Sequence, residues 1–324
     1  MNCPLCGSVN AQMKFEVRNG HDLYHCPDCG IEFLSPQLND EELDKLYSES
    51  YYAAWGIKGD AENETTRQMK KATFQLRLDT IRRFSTERAT GRSGTSPQPA
   101  TSPAPKILDV GCATGYFLEV AQKEGFDPYG VEFSEYSAGI AKKKFGDKKI
   151  FKGTLERLGL RDDRGLANDR GLANNPGFAE HSFQVIAMSD LIEHVRVPVE
   201  TLSKAKSLLT EDGVIMIMTP DTGTLSNKLM GRRWTHYKLE HFFYFNRKSI
   251  DWLTAKCNLK VVHYEKSKKA LNVNYLHTQL NVYRHWLLTP LINTLYALLP
   301  AKINARNFYF SIGEMVVILK KRSD

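Results

Sequence analysis

The sequence predicts an α/β fold built on a seven-stranded, mostly parallel sheet with helices on both faces. Two observations support this prediction. Between Lys106 and Phe133, an apolar strand, a turn of small residues, a helix and a second strand follow one another. Downstream, five further strand-like segments alternate with helices, an order typical of a parallel sheet. Ligands of such sheets bind at the carboxyl ends of the strands, so we expect the functional site there.

A turn of small residues connects the first predicted strand to a helix. The strand Ile107–Val110 runs directly into Gly111–Gly115, and the helix extends from about Tyr116 to Glu124. Because these residues lack bulky side chains, the backbone of the turn can approach a ligand closely.

An acidic residue lies at the end of the second predicted strand. Glu132 follows Asp109 by 23 residues, where a carboxylate can accept both hydroxyls of a ribose. A dinucleotide fingerprint would need glycine where this turn has Ala113 and Tyr116. Asp109 also suits a cationic ligand better than the pyrophosphate of NAD. The turn therefore favours S-adenosylmethionine (SAM) as the nucleoside cofactor.

The remaining elements complete the predicted sheet. Helices are expected at about Pro198–Leu209 and Arg247–Cys257. The five further strands are expected at Lys149–Lys152, Phe183–Met188, Gly213–Met218, Leu259–Tyr264 and Glu314–Leu319.

Three motifs carry a resemblance to a known family. The turn Asp109-Val-Gly111-Cys-Ala113-Thr-Gly115 resembles the Asp-x-Gly-x-Gly-x-Gly motif of class I SAM-dependent methyltransferases, from which it departs at Ala113. Small-molecule and glycan-type members contain segments similar to Ser189-Asp190-Leu-Ile-Glu193-His194-Val and to Glu240-His241-Phe-Phe-Tyr-Phe-Asn246. The resemblance implies a Rossmann-like sheet whose last strand is inserted antiparallel beside the sixth.

The same resemblance implies a cofactor site at the carboxyl edge of the sheet. Asp109 would lie near the amino group of the methionine part, Glu132 would bind the ribose, and Phe133 would pack on the adenine. The other expected cofactor-binding residues are Gly111, Ala113 and Gly115 along the methionine part, Thr154 and Leu155 at the adenine edge, and Ser189, Asp190 and Leu191 on the cleft floor.

Methyl transfer needs a positioned acceptor and, for many acceptors, a group that removes a proton. Histidine suits this role because its unperturbed pKa is about 6.5. His194 is the first candidate and His241 the second, with His236 also near a strand end. Glu193 is a further candidate that orients the loop.

Four of the six cysteines form two pairs, Cys3-x-x-Cys6 and Cys26-x-x-Cys29, with 19 residues between the pairs. This spacing predicts a four-cysteine zinc site. Such a site has no open position for water, so we expect a structural zinc ribbon, over about residues 1–36, that staples the fold or docks a partner. A redox pair is the weaker alternative.

The sequence divides into several predicted segments. Tyr51 and Tyr52, between two predicted lid helices, are candidate pocket residues, and an immediate repeat at 163–174 predicts a disordered insertion. The predicted boundaries are 1–36 for the ribbon, 37–89 for a helical lid, 90–105 for a flexible linker and 106–324 for the methyltransferase domain, with an insert at 266–313.

The insert concentrates positive charge. From Lys266 to the end, nine Lys and Arg face two acidic residues, a surplus equal to the net charge of +7 for the whole chain. The segment 286–301 is mostly apolar, too short to span a bilayer, and flanked by basic residues. A peripheral membrane helix, a buried lid or dimer helix, and a phosphate-binding surface are the alternatives, and the buried lid or dimer helix is slightly favoured.

Composition bounds the protein class. With 324 residues, 42% hydrophobic and 25% charged, the chain resembles an ordinary globular protein. The absence of an apolar leader at Met1 leads us to expect a cytoplasmic protein, with peripheral membrane contact through 286–301 left open. The predicted function is SAM-dependent methylation of a small-molecule, sugar or lipid-linked acceptor. RNA methylation and a non-catalytic SAM-binding or membrane-docking role are the alternatives.

Overall fold

The computed structural model describes residues 1–46, 64–85, 103–158, 160–161, 178–282, 284, 288–311 and 313–322. The candidate pocket residues Tyr51 and Tyr52, positions 90–102 of the predicted linker and the repeat at 163–174 lie outside the described residues. The chain forms two compact units. The first comprises Met1–Leu38, Leu78–Ser267 and Gly313–Asp324, and the second comprises Asn39–Arg77 and Lys268–Ile312.

The first unit contains a seven-stranded sheet, as the sequence predicts. The strands are β4 (Lys106–Val110), β5 (Asp127–Glu132), β6 (Ile150–Lys152), β9 (Phe183–Ser189), β10 (Leu209–Pro220), β12 (Leu259–Lys266) and β15 (Glu314–Lys321). Their spatial order is β12-β15-β10-β9-β4-β5-β6. The strand β15 pairs antiparallel with both β10 and β12, which confirms the inserted last strand. The central strands are buried runs of branched residues, because helices cover both faces.

Helices connect the strands of this sheet. The helix that follows β5 was not predicted from the sequence. The Ser134 side chain caps its first turn by accepting a hydrogen bond from Ser137 N. The helices of the first unit are α3 (Tyr116–Lys123), α4 (Glu135–Phe145), α5 (Pro198–Leu208), α6 (Leu225–Met230) and α7 (Arg247–Lys256), and the short strands β7 (Leu160–Arg161) and β8 (Phe178–Ala179) pair with each other.

A second sheet in the first unit begins in the ribbon. Its strands are β1 (Gln12–Arg18), β2 (His21–His25), β3 (Glu32–Ser35) and β11 (Phe243–Tyr244), in that order. The strand β11 pairs antiparallel with β3, so Phe243 faces Phe33 and Tyr244 faces Glu32. The ribbon therefore shares a sheet with a segment of the predicted domain 106–324 that lies far away in sequence.

The second unit combines the start of the predicted lid with the insert. Asn39 caps the helix α1 (Asp40–Leu46), since its Oδ1 accepts from Glu42 N at 2.9 Å and its own N donates to Glu42 Oε2 at 2.7 Å. The helix α2 (Glu64–Phe84) begins in this unit. The insert forms β13 (Lys269–Leu271), α8 (Val273–Val282), α9 (Leu288–Leu298), α10 (Ala301–Asn304) and β14 (Phe308–Phe310), with β13 and β14 antiparallel.

The insert also departs from one expectation. The sequence slightly favoured a buried lid or dimer helix at 286–301. The helix α9 has no buried residue among those the structure describes, so it is not a buried lid within its own chain, whereas the dimer helix stays a prediction. Apolar spacing alone does not distinguish a helix that faces a core from one that faces solvent. Within the described residues, no helix is long and apolar enough to cross a membrane.

Candidate functional site

The turn between β4 and α3 has the backbone of a ligand-binding loop. Gly111 and Gly115 adopt φ values of 79° and 85°, in the region that favours glycine. Both Gly111 N and Cys112 N donate to Val131 O, which fixes the start of the turn against β5. A Cβ at Gly111 would lie 3.1 Å from Leu191 Cδ1, so this glycine allows the turn to lie close to the segment after β9.

Glu132 at the end of β5 holds this turn in place. One carboxylate oxygen accepts from Ala113 N and the other from Ser134 N, each at 2.8 Å. An ionised carboxylate has about four acceptor positions, so each oxygen retains capacity for a further donor. Glu132, which is expected to bind a ribose, therefore also fixes the backbone of the turn, a role that was not predicted from the sequence.

Ala113 is a strained point of the turn. Its φ of 45° lies in the left-handed region, where a residue with a Cβ atom is strained by roughly 1–2 kcal/mol. Replacing alanine by glycine lowers the free energy of unfolding by only about 0.4–1 kcal/mol, because glycine gives the unfolded chain more conformational entropy.

Ala113→Gly is therefore expected to stabilise the fold by roughly 0.5–1 kcal/mol, as the difference between these two effects. Urea denaturation measures this change. The matched control, Ala255→Gly in the exposed part of α7, should destabilise by about 0.5–1 kcal/mol. Equal destabilisation by both substitutions would contradict a strained Ala113.

Asp109 lies buried in β4, next to the turn, with 3% of its surface exposed. Burial raises the pKa of its carboxyl group well above the ordinary value, and the negative charge of Glu132 adds to the shift. Burial likewise raises the pKa of Glu132, opposed by hydrogen bonds from the backbone of Ser134 and Ala113. Two buried acids whose charges act on each other favour the binding of a cation nearby.

Asp109→Asn is expected to raise the free energy of unfolding of the cofactor-free protein near pH 7 by on the order of 1–3 kcal/mol. The folded-state pKa lies above the unfolded one, so the contribution of the carboxyl group is most favourable at low pH and is lost as pH rises through the folded pKa. The advantage of the variant should therefore shrink on acidification. Urea denaturation at several pH values tests this.

The matched control for Asp109→Asn is Asp127→Asn, at the first residue of β5. Asp127 is partly exposed and forms an ion pair with Lys149 at 2.6 Å, so its replacement should not stabilise the fold. An Asp109→Asn variant that is no more stable than the wild type near pH 7 would contradict the electrostatic argument.

The other expected cofactor residues differ in accessibility. Phe133 is 47% exposed directly after β5, which leaves its ring available for stacking. Thr154 precedes the 3₁₀ turn Leu155–Arg157, and the Leu155 side chain is 1% exposed. Because the Leu155 side chain packs in the core, its backbone is the part that would reach an adenine edge, and the role of Leu155 stays a prediction.

The segment after β9 forms the other side of the candidate site. Ser189 Oγ is buried without a hydrogen-bond partner among the described residues, and a buried hydroxyl of this kind suits a ligand. Asp190 adopts a φ of 52° and its N donates to Met218 O at 2.9 Å. Leu191 faces Gly111, as described above.

The three catalytic candidates lie together. Ligand atoms of Glu193, His194 and His241 all lie within 4.8 Å of one another. The two imidazole rings meet edge to face, with centroids 4.6 Å apart. Hydrogen bonds join the two segments that carry them, since Phe242 N donates to Glu193 O at 2.8 Å and His194 Nδ1 bonds Glu240 O at 2.9 Å. The ring of His236 packs against the Trp234 ring, with centroids 4.7 Å apart, and both the charge and the backbone of His236 influence His241.

Electrostatics leave both histidines neutral at neutral pH. Burial lowers the pKa of His194 to about 4 and lowers that of His241 well below the ordinary value. Burial raises the pKa of Glu193, and the charge of Asp190 adds to this shift. A neutral imidazole can accept a proton from an acceptor group, and its lowered pKa makes it a weaker base than an unperturbed histidine. Two histidines and a carboxylate can equally hold a divalent cation.

Two buried atoms of this cluster lack partners among the described residues. They are Glu193 Oε1 and His241 Nδ1, whereas Glu193 Oε2 accepts from Thr219 Oγ1 at 2.9 Å. Unpaired polar atoms are uncommon in protein interiors and are frequent where a ligand, ion or water binds.

The ribbon holds the segment that carries His241. Leu34 N donates to Phe242 O at 3.0 Å, beside the β3–β11 pair. Asn246 Nδ2 donates to Gly30 O at 2.6 Å, and Lys248 Nζ donates to Pro27 O at 2.7 Å. These bonds place the ribbon next to the cluster of Glu193, His194 and His241.

A buried polar network reinforces this contact. Glu32 in the ribbon accepts from Lys14 Nζ at 2.6 Å and from Tyr237 Oη at 2.8 Å, and Tyr237 Oη accepts from Asn227 Nδ2 at 2.9 Å. Leu23, Trp234 and Tyr244 form an apolar cluster beside it. No local sequence pattern points to this network, because its members are far apart in the chain.

The four ribbon cysteines converge on one point. The sulfur atoms of Cys3 and Cys29, and those of Cys6 and Cys26, are 3.7 Å apart, and all four lie within 4.8 Å of one another. Tetrahedral zinc with Zn–S bonds of about 2.3 Å places its sulfur ligands about 3.8 Å apart. The cluster is therefore compatible with a four-cysteine metal site. Cys112 and Cys257 are buried elsewhere and pack in the core.

Comparisons with known proteins found a matching family model, a partial match to a curated protein and several solved structures of similar fold. A protein-family model described as a methyltransferase domain matches residues 67–264. The ubiquinone biosynthesis O-methyltransferase of Actinobacillus pleuropneumoniae serotype 7 (strain AP76) is 28% identical over 115 residues, which cover 35% of this chain and 45% of that protein. The match thus spans less than half of that relative.

Solved structures resemble the fold. The magnesium protoporphyrin IX methyltransferase of Synechocystis PCC 6803, solved with bound SAH, aligns with a TM-score of 0.50 and 12% identity over 88% of this chain and 100% of that chain. A SAM-dependent methyltransferase of Archaeoglobus fulgidus aligns with a TM-score of 0.47 and 16% identity over 85% of this chain and 100% of that chain. At these identities the likeness concerns the fold alone.

Proposed function

Because the chain belongs to the class I SAM-dependent methyltransferase family, we propose that it transfers a methyl group to a small-molecule, sugar or lipid-linked acceptor. One observation carries this proposal. Leu191 contacts the turn at Gly111. His194, three residues later, belongs to the cluster that it forms with Glu193 and His241. A methyl donor at the turn and a proton acceptor at the cluster would thus share one cleft.

The residues at the turn fit SAM. Asp109 and Glu132 provide two carboxylates for a ligand that carries ammonium and sulfonium charges, and the ionised form of both acids is favoured when a cation binds. Phe133 offers an exposed ring for the adenine. When bound, SAM supplies an electrophilic methyl group, and this chain's residues bind, orient and shield the reactants.

His194 is the proposed proton acceptor. Its Nδ1 bonds the Glu240 carbonyl, so in the tautomer that donates from Nδ1 the Nε2 atom carries the lone pair. His194 is half-buried, whereas His241 is 5% exposed. His194 can therefore reach an acceptor, and His241 positions it by edge-to-face contact.

The acceptor class rests on analogy. The relative described above is named as an O-methyltransferase of ubiquinone biosynthesis, which favours a hydroxyl acceptor on a small or lipid-like molecule. A neutral imidazole suits the removal of a hydroxyl proton as the oxygen attacks the methyl group. The four cysteines would hold zinc with no open position, so the metal would support the fold around the site without contacting the acceptor.

Calorimetric titration of the full, zinc-loaded chain with SAM tests the cofactor site. The wild type should bind saturably, and Glu132→Ala and Asp109→Ala should each bind roughly 10- to 100-fold more weakly, since hydrogen bonds to charged groups contribute about 1.5–3 kcal/mol.

The matched control is Asp127→Ala, which removes an acid from the opposite end of the same strand as Glu132. Its SAM affinity should equal that of the wild type. Equal weakening by all three substitutions would reflect a general loss of structure. A folded wild type that binds no SAM, alone or with candidate acceptors, would contradict the proposal.

A further inference from the structure

The helix α9 in the second unit presents an exposed apolar surface, which we call the leucine face. It consists of Leu291, Leu295 and Leu298, which are exposed by 52%, 37% and 75%. Spacings of four and three residues place these side chains on one side of a helix. A contiguous apolar surface of this kind marks an interaction site more often than single exposed leucines do.

The opposite side of α9 holds the helix within the unit. The Tyr296 ring stacks on His277 of α8, with centroids 4.0 Å apart and 15° between the planes. Asn281 Nδ2 donates to Asn293 Oδ1 at 3.1 Å. At 100° per residue, Asn293 and Tyr296 point away from the leucine face. The leucines therefore are not needed for the contact between α8 and α9.

Further apolar side chains of the same unit are also exposed. The strand β14 exposes Phe308, Tyr309 and Phe310 by 39%, 51% and 51%, and Ile303 of α10 is exposed by 41%. Three successive exposed aromatic residues are unusual for a strand that only pairs within its own protein. Aromatic rings of this type are enriched where proteins meet the headgroup region of a bilayer.

The Lys, Arg, Asp and Glu residues of this segment are all basic. Residues 268–312 contain five Lys and Arg and no Asp or Glu. Lys302 lies in α10, and the Arg306 guanidinium lies 6.0 Å from the centre of the Phe308 ring. An anionic membrane surface attracts basic residues by charge and apolar residues by the hydrophobic effect, and this unit combines residues of both kinds.

We propose that the leucine face and β14 dock the protein on an anionic lipid bilayer. The length of α9, 11 residues, suits a helix that lies in the interface, since a span needs about 20. A second copy of the chain is a poorer occupant, because two surfaces without acidic residues would repel each other. The inference goes beyond methyl transfer and does not depend on it.

Vesicle co-sedimentation of the full, zinc-loaded chain tests the proposal. Vesicles of phosphatidylcholine mixed with phosphatidylglycerol should bind the wild type at least roughly tenfold more tightly than pure phosphatidylcholine. Raising the salt concentration should weaken this binding. A Leu291→Ser, Leu295→Ser, Leu298→Ser triple variant should lose roughly tenfold or more in affinity for the mixed vesicles.

A matched control separates this surface from other exposed leucines. Leu229 in α6, in the first unit, is exposed by 77%, and Leu229→Ser should leave vesicle binding unchanged. A Lys302→Gln, Arg306→Gln variant should reduce binding to mixed vesicles and leave the weak binding to phosphatidylcholine as it is. Unchanged SAM affinity in all variants would show that they fold.

Three results would overturn the proposal. The first is equal affinity of the wild type and the triple leucine variant for mixed vesicles. The second is a wild-type dimer that the leucine substitutions convert to a monomer, with no binding to vesicles, which would assign the face to self-association. The third is salt-sensitive binding to RNA that is unaffected by the leucine substitutions, together with no binding to vesicles.

Discussion

Removal of the zinc ion proposed for the four-cysteine cluster is expected to reduce kcat for methyl transfer by on the order of 100-fold or more, while SAM affinity stays essentially unchanged. The ribbon pairs with β11 and bonds the residues on either side of it, and His241 lies two residues before β11. Structural zinc supplies folding free energy for small cysteine-rich modules, so its loss would free this segment. A displacement of about 1 Å at reacting groups can cost roughly 100-fold in rate.

The measurement compares kcat and SAM affinity before and after chelation, and again after zinc is restored. Cys29→Ser should reproduce the effect of chelation, because it removes one buried ligand. Cys257→Ser is the matched control, since Cys257 is buried outside the ribbon, and it should retain activity. Full activity of a zinc-free, folded protein would refute the positioning role of the ribbon.

His194→Ala is expected to lower kcat by roughly 10²–10⁴-fold without changing SAM affinity, because the variant lacks the proposed proton acceptor. His241→Ala should cost less, since His241 positions its neighbour. In the double variant the losses should be far from additive, because the two rings are in contact. His181→Ala, at an exposed position away from the cluster, is the matched control and should be as active as the wild type.

The pH dependence of kcat provides a second test. Burial lowers the pKa of His194 to about 4, so the imidazole is neutral at every pH above that value. The rate should therefore stay constant between about pH 6 and pH 8 and decrease only on further acidification. A decrease centred near the ordinary histidine pKa of about 6.5, or a His194→Ala variant with normal kcat, would assign proton removal to another group.

Local patterns in the sequence were sufficient for much of the fold. The strand, turn and helix at 106–123 depend on neighbouring residues, and the structure has them where the sequence indicates. The seven-stranded order with its inserted last strand is confirmed as well. The cysteine spacing also sufficed to bring four thiols together, because each pair forms its own tight turn.

Features that depend on distant partners were not predictable in this way. The pairing of Phe243 with Phe33 leaves no periodic signal in either segment. Ala113 gives no local indication of its positive φ, which follows from the contact of its N–H with Glu132. The proximity of His194 and His241 was equally hidden, although both were singled out, since it results from hydrogen bonds between two separate loops. The roles of these residues stay predictions until the variants are measured.

The pairing of β3 with β11 also constrains the order of events during protein synthesis. Roughly 200 residues separate Ser35 from Phe243, and at about 5–20 residues per second the ribosome needs roughly 10–40 s to make them. During that interval the outer edge of β3 has no strand beside it, and such an edge can pair with other chains. A nascent chain whose four cysteines had already bound a metal would still carry this open edge, so the synthesis of β11, and not metal uptake, would end its exposure to aggregation.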